Sequence, residues 1–459
     1  MTLTLKRKYQ HNNEFCGKVL EVHWRGQQDG LEKRRGVTNE FKALMRLVGA
    51  AAQGKANPDL PDNLDWHKID RLANEQAVQT LLGYALKLSP GLACPEELRK
   101  RLVGQMRQLA FSNNAWKASI LLLIRQMNDA GISAQLIKGY AVADCYAAPD
   151  CRMSGDTDLL IEPKDEKRAC VFMEANGFAV DRRWKNGHHD VCQHPQLGCV
   201  ELHVMLYDEI VEDVWFGRMD GREFVREPSI EVATRDGGYR TLGYTDHIIF
   251  LMLHLIKHFI LSGMSLRMML DVVLFFSHHA ERIDSVRFWK TMESLKYGTI
   301  AQSILWAMVR YCGIDAASIP ELCEACPEQV DLILDDLENG GWLGKIDEKA
   351  REEGWYEYNR QLLMKNRNRA QYLIFMLRWK MGAYLKALFP SRKTLAIRYP
   401  CVQKSALLIP LVWLHRLIFR GSRAVKKGAL TTDIVTDEKK IGTSAQERVQ
   451  MFKNLGMMD

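Results

Sequence analysis

The sequence predicts an α+β fold in which a small mixed sheet sits between two helical regions. Three observations point to it. Apolar residues recur at helical spacing from Phe41 to Met127. After Gly131 the pattern breaks into short apolar runs separated by turns. From Thr245 the helical spacing returns and dominates to about Leu388.

Residues 1–36 carry eight Lys/Arg against four acids and no sustained periodicity, which predicts a loose basic leader. A helical region follows over 37–129. Phe41, Leu44, Met45, Leu47 and Val48 mark its first helix. Asn57–Asn63, with two prolines, reads as a loop, and Trp66–Leu88 and Glu96–Asp129 read as further helices. Gly131 stands where a helix stop is needed. The α/β core is read over 130–208. It has an apolar run at Ile132–Ile137, a short helix at Tyr140–Tyr146 and a turn at Pro149–Arg152. A strand at Thr157–Glu162 and a helix over Lys164–Asn176 follow. Further strands are read at Phe178–Arg183, His189–His194 and Val200–Leu206. The stretch 209–244, rich in Gly and charge, reads as an excursion. Thr245 suits the N-cap of a helix over Asp246–Leu261, which opens a second helical region over 245–420. A polar tail, 421–459, closes the chain.

The net charge is +7, and the leader holds more than half of it, so the rest is nearly neutral. That argues against a dedicated surface for long nucleic acid. The eleven cysteines have no regular spacing, and the N-terminus lacks the apolar stretch of a signal peptide. Reduced thiols in a cytoplasmic protein are therefore expected. Cys323-x-x-Cys326 is half a zinc site without a second half nearby. No segment reaches the ~18 uninterrupted apolar residues of a membrane span. Ile248–Leu261 and Ala406–Phe419 come nearest, and both carry charge or histidine.

The chemistry concentrates in two short stretches. In Gly155-Asp156-Thr157-Asp158-Leu159-Leu160-Ile161, strand alternation puts Asp156 and Asp158 on one face. Two such carboxylates repel unless a cation lies between them, and Mg²⁺ prefers oxygen ligands that it shares with phosphate. A solvated acidic turn is the alternative. In Val200-Glu201-Leu202-His203-Val204-Met205-Leu206, Glu201 and His203 share a face against an apolar one. Glu201 is either a third metal ligand or a structural acid paired with an arginine. Lys138-Gly139, between an apolar run and a short helix, reads as a phosphate turn or as an ordinary β–α turn. Arg152 is a second candidate cation. His247, His254 and His258 fall on one helical face. The last two have zinc-ligand spacing but lack a Glu and a third ligand, so a packed role is the simpler reading.

Taken in order, Leu136-Ile137-Lys138-Gly139, Tyr146, Arg152, Asp156-x-Asp158-Leu-Leu-Ile, Gly177-Phe178 and Val200-Glu-Leu-His203 resemble the uncharacterised nucleotidyltransferase family of bacteria. That family is a branch of the polymerase-beta-like superfamily. The similarity runs from about Val37 to Phe419 and includes the His254-x-x-x-His258 helix and Arg398-Tyr399-Pro400. The resemblance implies that Asp156, Asp158 and Glu201 hold two Mg²⁺ ions, or Mn²⁺ in their place. Glu201 would also lie near the acceptor hydroxyl. Lys138, Gly139 and Arg152 would bind a nucleoside triphosphate such as ATP. His203, His254 and His258 would stand close behind or over the cleft. In this chain Tyr140 follows Gly139 where the superfamily has Ser, so either Lys138 substitutes for the missing hydroxyl contact or the phosphate site is weakened. The implied reaction moves a nucleoside monophosphate to a hydroxyl acceptor. A sugar, small molecule or protein is favoured as acceptor over long nucleic acid. The other classes left open are a non-catalytic nucleotide-binding or interaction protein that keeps the fold, and a metal-dependent hydrolase using the histidine face.

Overall fold

The structure is a computed structural model that describes residues 37–181, 189–207, 225–234, 237–261, 263–340, 409–413 and 443–457. The leader over 1–36, most of Ala406–Phe419 and Arg398-Tyr399-Pro400 lie outside these.

Helix α1 (Asn39–Ala52) buries Phe41, Leu44, Met45, Leu47 and Val48, the residues its periodicity singled out. Thr38 caps it, its hydroxyl accepting from the Phe41 N–H. Helices α2 (Trp66–Glu75), α3 (Gln79–Leu88) and α4 (Glu96–Asp129) follow. Helix α4 has 34 residues and so spans about 50 Å. Gly131 then takes φ +74°, as its place after the helix requires.

Seven strands form one mixed sheet in the order β3-β4-β5-β2-β1-β7-β6. They are β1 (Ala134–Leu136), β2 (Asp156–Ile161), β3 (Ala179–Asp181), β4 (His189–His194), β5 (Gly198–His203), β6 (Ile230–Thr234) and β7 (Gly237–Thr241). Strand β2 pairs antiparallel with β1 and parallel with β5. Helices α5 (Tyr140–Ala143) and α6 (Glu166–Ala175) connect the strands around β2. The expected excursion over 209–244 differs from what is found, because β6 and β7 form a hairpin that extends the sheet beyond β1. Gly237-Gly238-Tyr239-Arg240-Thr241 carries two glycines and a charge, so its composition hides the strand.

Helix α7 (Tyr244–Leu261) is apolar and long enough to cross a membrane by composition alone, yet its window is 72% buried within the protein. Thr245 does not cap it. Glu227 reaches back to accept from the Thr245 N–H at 2.9 Å, and Thr245 instead accepts from the Asp284 N–H. Gly243 permits this approach, since a Cβ there would meet the Glu227 side chain at 2.4 Å. Then come α8 (Leu266–His278), α9 (Ser285–Ser294), α10 (Gly298–Cys312) and α11 (Pro327–Gly340). The expected polar tail contains α12 (Thr443–Asn454). Phe452, Leu455 and Met457, from this helix and the turn after it, are buried in the helical core.

Two large apolar cores form among the described residues, beside a small cluster at Ile409, Val412 and Trp413. One joins α1–α3 with α7–α12. The other lies against the sheet and takes Leu136, Leu159, Val200 and Leu202. Helix α4 serves both, giving Leu98, Leu102 and Met106 to the first and Ile120, Ile124 and Met127 to the second. His247 ties α7 to the end of β1, its Nε2–H donating to the Ile137 carbonyl at 2.9 Å.

Two predictions follow from this packing. A Cβ on Gly49 would lie 2.4 Å from the Cys312 carbonyl oxygen, whereas one on Gly104 meets nothing within 4 Å. In thermal melts Gly49→Ala is expected to destabilise by about 1–3 kcal/mol. Gly104→Ala, in an open helical position, is expected to stabilise by up to about 1 kcal/mol. Burial drives the His247 imidazole down to about 4 against the weaker pull of the Ile137 carbonyl. The folded state therefore holds it neutral, while the unfolded chain takes up a proton at roughly 6.5. Its contribution is intact above that pH and is lost as pH falls towards 4. The Tm of His247→Gln is expected to fall less between pH 7 and pH 5 than that of the native chain.

Candidate active site

Strand alternation sends Asp156 and Asp158 to one face of β2 while Thr157 and Leu159 are buried on the other. The parallel register with β5 sets Asp158 directly beside Glu201. Carboxylate oxygens of Asp156, Asp158 and Glu201 lie within 4.8 Å of one another. The side chains differ in access, for Asp158 is 1% exposed and Glu201 22%.

Lys138 closes the cluster from β1. Its Nζ lies 2.6 Å from Asp158 Oδ1 and 3.4 Å from His254 Nε2. Gly139 makes the turn at φ +63°, and a Cβ there would meet Ser154 Oγ at 2.8 Å. A side chain at 139 is thus excluded twice, by backbone conformation and by space. Helix α5, at four residues, has little macrodipole, so charge for an anion comes from side chains.

His203 Nε2 stands 2.9 Å from Asp158 Oδ1 and 3.3 Å from Glu201 Oε2. Burial opposes the charge on Asp158, but the Lys138 ammonium and the His203 hydrogen bond hold its carboxyl well below the usual range. Burial, and next the charge of Asp158, push Asp156 up. For Glu201, burial is outweighed by the His203 hydrogen bond together with the charges of His189 and Lys138, and its carboxyl sits below the ordinary value. Lys138 and His203 both meet Oδ1 of Asp158, which leaves the second oxygen's lone pairs for another cation. Three clustered carboxylates, one pushed up by burial and by the charge of Asp158, form a hard oxygen donor set that fits a divalent cation.

Arg152 is placed differently from its neighbours. Its Nε and Nη2 grip Asp271 at 3.0 and 2.6 Å, and Nη1 donates to Ser154 Oγ and the Met153 carbonyl. Tyr146 also donates to Asp271, at 2.7 Å. Arg152 lines the same small cavity as Lys138, Asp156 and Asp158, about 90 Å³, but its charge is matched by Asp271. His254 and His258 line that cavity from α7, with ring centroids 4.6 Å apart. Burial holds both neutral. Lys138 adds to the effect on His254, and His258 is lowered to about 3.

Sequence reading missed three contributors. Arg267 and Asp271 sit one turn apart in the apolar α8 and line the cavity, a polar pair in a buried helix that was itself a signal. His189 lies opposite His203 across β4 and β5 and within 3.7 Å of Glu201. Its alternation with Val191 and Gln193 marked its face, but not what the face meets. A larger cavity of about 580 Å³ shares no lining residue with the carboxylate site and is bordered by Lys117, Asp144, Cys145, Tyr244 and His279. Cys323 and Cys326 are exposed free thiols.

A family model described as an uncharacterised nucleotidyltransferase matches residues 62–313. No curated protein and no solved structure gives a match.

The Arg152–Asp271 pair supports a direct test. Removing one partner of a buried ion pair costs about 3–5 kcal/mol, because the other charge is left without compensation. Asp271→Ala is expected to lower stability by that order in denaturant titrations. Tyr146→Phe, which removes one hydrogen bond, is expected to cost only about 1 kcal/mol.

Proposed function

The chain belongs to the uncharacterised nucleotidyltransferase family, and from that premise we propose that it moves a nucleoside monophosphate from a nucleoside triphosphate to a hydroxyl acceptor. One observation carries the reading: Asp156, Asp158 and Glu201 converge from two register-paired parallel strands beside a lysine. Placement in the polymerase-beta-like superfamily belongs to the same reading.

In this reaction the acceptor oxygen forms a bond to the α-phosphorus, and the bond from that phosphorus to the bridging oxygen breaks. Pyrophosphate leaves with the electron pair, and the hydroxyl proton passes to a base. A divalent cation on the trio, Mg²⁺ by ligand hardness, supplies charge neutralisation for phosphate and nucleophile. Glu201 suits the base, since it is more accessible than Asp158 beside it and is held ionised at neutral pH. Lys138 and Arg267 both line the small cavity and would meet the anionic groups of the triphosphate there. That cavity, at about 90 Å³, is far below the roughly 300–1,000 Å³ of whole-ligand sites. It suits the phosphate end, with the nucleoside lying outside it. The near-neutral charge beyond the leader favours a sugar, small metabolite or protein as acceptor.

A second reading, nucleotide binding without turnover, draws on Lys138 and His203 already neutralising Asp158. Labelled triphosphates, Mg²⁺ and cell extract separate the two. The enzyme reading expects pyrophosphate release and a labelled acceptor, both abolished in Asp156→Ala and Asp158→Ala. Glu201→Gln is expected to cut turnover by about 10²–10⁴ with little change in triphosphate affinity. Binding that survives all three variants with no pyrophosphate would favour the second reading.

A further inference from the structure

A second donor set adjoins the carboxylate trio, and it differs in kind. His189 on β4 stands opposite His203 on β5 in the antiparallel register, so both rings project from one face of the sheet. The ring centroids are 5.0 Å apart. Glu201, two residues before His203 on the same strand, points to that face as well. Its Oε2 lies 3.3 Å from His203 Nε2 and 3.7 Å from His189 Nε2, and one ligand atom from each of the three falls within 4.8 Å of the others. Ligand atoms bonded to one tetrahedral ion at roughly 2.0–2.1 Å sit about 3.3 Å apart, so only small side-chain movements separate this arrangement from coordination. Asp158 Oδ1, 2.9 Å from His203 Nε2, bounds the group on the inner side.

We propose that His189, His203 and Glu201 form a second divalent-cation site, which shares Glu201 with the trio and takes a first-row transition-metal ion in preference to Mg²⁺. The preference follows from the donors. Imidazole nitrogen binds Mn²⁺, Fe²⁺, Co²⁺ and Zn²⁺, whereas Mg²⁺ keeps to oxygen and water. The two sites would then be chemically distinct, one all-oxygen and one nitrogen-rich, bridged by a single carboxylate. His189 and Glu201, each 22% exposed, are reachable from solvent, while His203 at 4% anchors the inner side. This site requires nothing of nucleotidyl transfer.

The full chain, stripped with a chelator and loaded with Mn²⁺, tests it by electron spin echo envelope modulation, which reads nitrogen bound to the ion. Mn²⁺ is the probe because the thiols of eleven cysteines would draw Zn²⁺. Imidazole nitrogen modulation is expected in the native chain and is expected to survive about a hundredfold excess of Mg²⁺. His189→Ala should lower its depth by roughly half, as one of two nitrogens is lost. Asp156→Ala, which touches only the oxygen site, should leave it unchanged. Circular dichroism confirms the fold of each variant. His189 lies partly exposed, so its variant carries the decision even if His203→Ala fails to fold. No nitrogen modulation in the native chain, or full depth in His189→Ala, overturns the proposal. Loss by simple Mg²⁺ competition overturns the stated preference. Missing pyrophosphate release with nitrogen modulation intact would end the nucleotidyl reading and leave this site standing.

Discussion

The ionised Asp158 side chain, almost wholly removed from water, is the constraint around which this molecule is arranged. An isolated buried carboxylate would cost several kcal/mol, so positive charge has to be delivered to it. Lys138 delivers it from the end of β1, and the chain can turn there only through a residue that tolerates φ +63° with no Cβ. His203 adds a hydrogen bond from β5. Helices α7 and α8 then wall the cluster with His254, His258, Arg267 and Asp271. The helical half of the protein thereby takes part in the electrostatics of the central strands.

The parts of this arrangement that could be read from the sequence are those that local alternation determines. Asp156 with Asp158, and Glu201 with His203, share faces because strand side chains alternate. That Asp158 lies beside Glu201 is a matter of register between strands far apart in the chain, and alternation does not reveal it. The family resemblance supplied that link. Arg152 illustrates the limit of reading charge in isolation. It looked available to phosphate, and its partner Asp271 lies 119 residues away on a helix that no local pattern places beside it. The β6–β7 hairpin escaped notice because glycine and charge mask its period. The capping role of Glu227 was invisible because it crosses from a preceding loop, while the adjacent Thr245 looked the better cap. His189 could be assigned a face but not an opposite number until the strand order was known.

Glu201 occupies an unusual position among these groups. It belongs at once to the oxygen cluster and to the histidine pair, and it is more open than Asp158. Any cation seated on one side withdraws electron density from the other through the same carboxylate, so the two halves of the site cannot be tuned independently.

Helix α4 places its two ends in different apolar cores, with the strongly exposed Phe111 between them. Neither core can come apart without stranding half of that helix, whose isolated turns have little stability of their own. The sheet region and the helical region are therefore expected to lose structure in a single cooperative step. A fragment cut at the nominal start of the sheet would lack the rod on which its own interior is built.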